Sequence, residues 1–146
     1  MDAVRSPSWI KVPSVVLITL FGACLVVIGA YFALLRPSML PEDERFVGAS
    51  MSELQMVAPA IGAWLSRVFL VLGGYIAATG VLMVYVAQSG IRRRSRAAGV
   101  IVAISGALSI GTMAVVNLVI DSDFKWPLLA LAAVWTAGQA FFWSKK

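Results

Sequence analysis

The sequence contains no histidine and a single cysteine, Cys24. The first absence removes the side chain that most often ligates metal and moves protons near neutral pH. The second excludes an intramolecular disulfide and a thiolate metal cluster. Charge is also scarce. Only 13% of the 146 residues are Asp, Glu, Lys or Arg, against about 25% in a soluble domain. Strand-type alternation is missing, and so is any internal repeat.

What is abundant is apolar surface: 60% of the residues are hydrophobic. They gather into four segments, 13–35, 64–89, 97–120 and 126–143. Crossing a bilayer takes about 20 apolar residues as helix. The first and third segments hold no charge, the second carries Arg67 near its start, and the fourth is the shortest. Lipid offers no partner for free backbone groups, so each segment is expected to be helical. The expected fold is all-α: a four-transmembrane-helix bundle forming one membrane domain over 1–146, with an outer loop at 36–63. Arg5 and Lys11 precede the first segment as in a signal peptide. Its apolar run of about 23 residues exceeds the core of a signal, however, so a retained helix is expected. The box Phe21-Gly22-Ala23-Cys24 loosely matches a lipoprotein cleavage site, but the apolar run continues past Cys24.

Lys and Arg accumulate on the cytoplasmic side. With both termini placed there, that side holds Arg5, Lys11, Arg92, Arg93, Arg94, Arg96, Lys145 and Lys146. The outer side keeps Arg36, Arg45, Arg67 and Lys125 together with six of the seven acids. Trp64 and Trp126 then fall at the outer boundary and Trp143 at the inner one, which are interfacial positions.

The outer loop is too short for a core of its own. Pro41 followed by Glu42, Asp43 and Glu44 suits a helix start, where acids meet the positive end of the dipole. Ser50-Met51-Ser52-Glu53 fits a capping box. Beyond it, Met51, Leu54, Ala58, Ile61 and Leu65 share one face. Pro59 is expected to kink or end that helix. The segment therefore reads as short interfacial helices leading into the second span.

Few residues offer chemistry. Glu42, Asp43 and Glu44 could join Asp121 and Asp123 at the outer face as ligands for a hard cation, although their spacing matches no calcium loop. The bland reading is helix capping. Arg67 is expected to pair with Glu53, Asp121 or Asp123 as an outer clasp, or to hold an anionic lipid or substrate. Asn117, near the outer end of the third span, needs a partner, and an interhelical hydrogen bond is the simplest. Arg92, Arg93, Arg94 and Arg96 suit contact with anionic lipid headgroups as well as setting topology. No Asp, Glu, Lys or Arg lies near the middle of a span, which disfavours a proton-driven exporter. No nucleophile–base pair is recognisable, so no catalytic residue is assigned. Small residues at packing spacing, among them Gly73 with Ala77, Gly74 with Ala78, and Gly22 with Gly29, allow close helix approach within the bundle or against a partner.

Two stretches stand out, Leu40-Pro41-Glu42-Asp43-Glu44-Arg45-Phe46-Val47-Gly48 and Asp121-Ser122-Asp123-Phe124-Lys125-Trp126-Pro127-Leu128-Leu129. With the pattern of spans, they resemble a group of small bacterial four-helix integral membrane proteins without an assigned activity. The resemblance implies a bacterial inner membrane and brings no cofactor and no catalytic residue. Both stretches fall on the outer side, where they are expected to pack together.

Three functions are compatible with these features. The first is a non-catalytic accessory, assembly or homo-oligomeric interaction module. The second is a binder or carrier of a lipid or other apolar molecule, which requires a cavity lined by Phe, Leu and Met near Asn117 or Arg67. The third is an outer-face metal site or membrane enzyme using the loop carboxylates. Nucleic acid is excluded as a partner, because no folded cytoplasmic domain accompanies the basic run.

Overall fold

The structure is a computed structural model and describes residues 13–144. Arg5, Lys11, Lys145 and Lys146 lie outside the described residues, as do the termini whose side of the membrane the charge rule assigns. Among the described residues every regular element is helical. Six helices follow one another: α1 (Pro13–Leu34), α2 (Pro41–Val47), α3 (Met51–Val57), α4 (Ile61–Ile91), α5 (Arg96–Val119) and α6 (Lys125–Ser144). The four long ones match the expected segments to within a few residues. Three of them, α1, α4 and α5, are long and apolar enough to cross a membrane. The 20-residue α6 runs beside them. Its apolar run is interrupted by Thr136 and Gln139.

The long helices are antiparallel neighbours. Gln88 near the end of α4 donates to Thr19 near the start of α1. Gly138 near the end of α6 meets Leu17 and Ile18 of α1, and Phe142 meets Gly99 at the start of α5. Two ends result. One carries the 92–95 turn and is basic; the other carries α2, α3 and the 120–124 turn and is acidic. The core runs between them through Ile18, Phe21, Leu25, Val102, Ile110 and Phe142.

Around the bundle the order is α4, α1, α6, α5. Three seams are closed, each by a small residue facing something larger or another backbone. On α1 and α4, Gly22 faces Gly80, and Gly29 faces Gly73 and Ala77. A methyl placed on Gly29 would sit 2.5 Å from the Ala77 amide nitrogen, so only glycine permits this approach. On α6 and α5, Trp135 lies over Gly106 and donates its indole N–H to the Val102 carbonyl at 3.1 Å. The fourth seam, between α4 and α5, is closed only near the connecting turn, where Ala98 approaches Gly90. Toward the acidic end these two helices part.

The short helices form as their caps dictate. Pro41 opens α2, and the Asp43 carboxylate accepts the Leu40 amide at 2.9 Å. Gly48 ends α2 at φ 77°, a conformation open to glycine at no steric cost. Ser50 and Glu53 close the expected capping box at α3 in both directions. Ahead of Pro59, α3 stops at Val57, so the expected stripe is divided between α3 and α4.

Candidate functional site

The open seam is a groove of about 920 Å³ at the acidic half of the bundle, within the range of small-molecule sites. Phe32, Phe69, Ile76, Leu108, Met113 and Leu128 supply much of its wall. A smaller hollow of about 510 Å³ continues it toward the basic end and shares Thr79, Leu108 and Ser109 with it. Part of the wall on α5, at Leu108 and Ser109, is a π-helical turn, Ala107–Gly111. One extra residue per turn pushes this stretch of backbone outward, a distortion frequent at functional sites. Ser109 steadies the turn by donating to the Ser105 carbonyl at 2.7 Å. Leu108 is left 73% exposed on the groove's rim.

Polar groups gather at the acidic mouth. Arg36, just past the end of α1, has a side chain only 8% exposed. Its guanidinium lies 3.7 Å from the centre of the Phe69 ring, bonds Asp43 at 2.7 Å and donates to the Pro37 carbonyl. One cation thus joins α1, α2 and α4, its charge balanced by Asp43 and its flat face by an aromatic ring. Ser38 adds a second tie between the same segments by donating to the Gly62 carbonyl at 3.0 Å.

Helix α2 is fastened to the 120–124 turn on one face. Ser122, itself buried, donates to the Glu42 carboxylate at 3.2 Å. One turn along α2, Arg45 pairs with Asp123 at 3.2 Å in an exposed bridge. The two conspicuous stretches of the sequence therefore do pack on each other. Glu42 is 3% exposed and lines the groove.

The expected clasp is differently built. Arg67 donates to its own helix at the Ala63 carbonyl and lies on the exposed face of α4. The acids assigned to it are taken by nearer partners. Lys125, one helical turn along, pairs with Asp121, while α2 delivers Arg45 to Asp123. Glu53 is spent on the Ser50 cap. Asn117 does line the groove, but its amide donates to Met113 of its own helix at 2.9 Å rather than across helices. A short amide reaches the carbonyl four residues back more readily than a neighbouring helix. Glu44 accepts the Met51 amide at 3.0 Å and joins α2 to α3. Glu42, Asp43, Glu44, Asp121 and Asp123 thus enter separate contacts. Among the described residues no three acidic or thiol groups are placed to hold a metal ion. Arg36 was missed because the sequence presents it only as the end of a span. Phe32, one turn earlier, and Asp43, seven residues later, were its signal.

At the basic end the four arginines divide. Arg94, at φ 58°, donates to the Phe142 carbonyl at 2.7 Å and lies over the Phe142 ring. It fastens the last turn of α6, where a cation meets the negative end of the dipole. Arg92, Arg93 and Arg96 are exposed.

Two acid groups are shifted, both outside the long apolar helices. Hydrogen bonds from Ser50, the backbone amide first, hold Glu53 below the usual carboxylate range. The Lys125 ammonium does the same for Asp121 through its hydrogen bond and its charge.

No known protein family, curated protein or solved structure matches the chain. Its function is therefore argued from the groove and its mouth.

Proposed function

We propose that this chain is a four-span protein of a bacterial inner membrane that holds a lipid-like amphiphile in the seam between α4 and α5. One observation carries the reading: a groove of about 920 Å³ that is mainly apolar along its length and has its charged residues, Arg36, Glu42 and Asp43, at one end. That is the division of an amphiphile. The cavity near Asn117 has the Phe, Leu and Met lining that a lipid binder requires. Charge asymmetry favours placing the acidic end outside and both termini in the cytoplasm. Exposed Trp64 and Trp126 at the acidic end and Trp143 at the basic end suit the two interfaces. The exposed Arg92, Arg93 and Arg96 suit anionic headgroups on the cytoplasmic side. The role is binding or carriage rather than catalysis, since Ser122 at the groove mouth has no histidine to activate it.

Native mass spectrometry of the gently extracted protein tests this reading. The wild type is expected to retain lipid. Met113→Trp, which fills the groove, is expected to lose it. A variant that retains lipid as the wild type does would overturn the proposal.

An accessory, assembly or oligomeric interaction module is the second reading, and a different face supports it. Gly74 is exposed, with nothing within 4 Å of where its side chain would be, and Ala78 follows one turn later. A defined oligomer or bound partner chain in the same spectrum, dispersed by Gly74→Leu, would favour it.

A further inference from the structure

We infer that the groove mouth selects an amine-bearing lipid, with the Glu42 carboxylate as the counter-charge to its ammonium. This inference rests on the groove being the lipid site.

Of the two acids that line the groove, Asp43 is paired with Arg36 and Glu42 has no charged partner among the described residues. Arg36 balances Asp43, Arg45 balances Asp123, and Lys125 balances Asp121. Among the described residues, the sole hydrogen bond to the Glu42 carboxylate comes from a neutral hydroxyl, that of Ser122. Its other oxygen accepts nothing from the described residues, yet it is not sealed from outside. The residue as a whole is 3% exposed, and it lines the groove. A carboxylate withdrawn this far from water is costly unless a cation or several donors meet it. Here one neutral donor does, and the residue lines the groove. An ammonium supplies both the positive charge and N–H donors. A headgroup of net negative charge meets repulsion at the same place. The tail of the lipid follows from the remaining wall, which is mainly apolar from Phe69 down to Leu108, with the hydroxyls of Thr79, Ser109 and Thr112 among its residues.

The test uses the full-length protein in a neutral maltoside detergent. Two single-chain phospholipids with the same oleoyl tail are titrated and read by native mass spectrometry. One carries an ethanolamine head and the other a glycerol head. The wild type is expected to bind the ethanolamine lipid about tenfold more tightly. Glu42→Gln keeps the shape of the side chain and its bond to Ser122, and should bring the two lipids to within about twofold. A wild type without preference, or a Gln variant that keeps it, overturns the inference. A third lipid needs no variant. With the ethanolamine nitrogen acetylated, binding to the wild type should fall by about tenfold, and unchanged binding overturns the inference too. Met113→Trp separates the two readings. If it weakens both lipids while the wild type binds them equally, the groove stands and the headgroup inference fails. If it leaves both unaffected, the groove reading fails as well.

Discussion

Helix α4 has two long edges, and they are built differently. Along the edge that faces α1, backbone meets backbone at Gly73, Gly80 and their partners Gly29 and Gly22. Along the edge that faces α5, Tyr75, Thr79 and Leu82 stand before a π-helical turn, and the helices part. In a membrane, lipid tails are as apolar as the side chains, so only close packing draws helices together. An edge with small residues in register closes; an edge with large ones leaves room for a tail. On the proposed reading, the closed edge serves stability and the open edge serves binding.

The largest expected effects test the closed side. Phe21 is fully buried within the closed part of the bundle, and Phe21→Ala should cost about 3–5 kcal/mol. Leu108→Ala, on the open rim, should cost well under about 1 kcal/mol. Unfolding in mixed micelles, followed by circular dichroism, measures both. Comparable losses would mean that the groove is packed after all.

A methyl group sharpens the same contrast. On Gly29 it would meet backbone atoms at 2.5 and 2.6 Å, and Gly29→Ala should destabilise by about 3 kcal/mol. On Gly74 it meets nothing within 4 Å. Gly74→Ala should instead gain about 0.5–1 kcal/mol from helix propensity. The opposite signs are the prediction, read in the same unfolding assay. Loss of stability at Gly74 as well would reveal a covered face on α4.

How much of this contrast was legible in advance depends on what each residue responds to. The long helices were, because lipid forces apolar runs of that length into helix and their bounds follow composition. The caps were too: Pro41 and the Ser50–Glu53 pair act over three or four residues, and local sequence contains all of their partners. Gly22 and Gly29 showed their spacing but not whether it faced α4 or another chain. The groove was not legible, because it depends on which helices sit side by side and on one extra residue in a turn of α5. Arg36 and Arg67 illustrate the limit. Both were cations at the end of a span, and the sequence favoured Arg67 for its depth. Only the packing of α2 and α4 around the end of α1 reveals that Arg36 has an acid and a ring within reach, while among the described residues Arg67 has neither.

The basic end sets where the two edges of α4 and α5 begin to part, and Arg94 is its fastening. Arg94→Ala removes the bond to Phe142 and should cost about 1.5 kcal/mol. Arg94→Gly loses the same bond but relieves the left-handed backbone, and should recover about 1 kcal/mol of that. Thermal unfolding of the two variants in detergent compares them. If alanine and glycine are equally destabilising, the backbone at 94 is unstrained.

The smallest effect separates the acidic end from the seams by pH. Glu53 is held below the usual carboxylate range by Ser50, so its cap favours the folded form when ionised. That contribution is present above the ordinary carboxylate pKa and is lost as pH falls through the lowered one. The closed seam contains no titratable group among Gly22, Gly29, Gly73 and Gly80, so it should not respond over the same range. Backbone amide shifts of 50–57, followed by NMR in micelles from neutral pH downward, should move toward disordered values in acid. Those of 22–29 and 73–80 should stay in place. Glu53→Gln should abolish the acid-dependent part of the change, because it removes the titrating carboxylate, whereas Ser50→Ala keeps the backbone amide that bonds Glu53 and should only reduce it. If residues 22–29 shift together with 50–57, the acidic end and the α1–α4 seam unfold as one unit and the contrast between the edges of α4 does not extend to their stability.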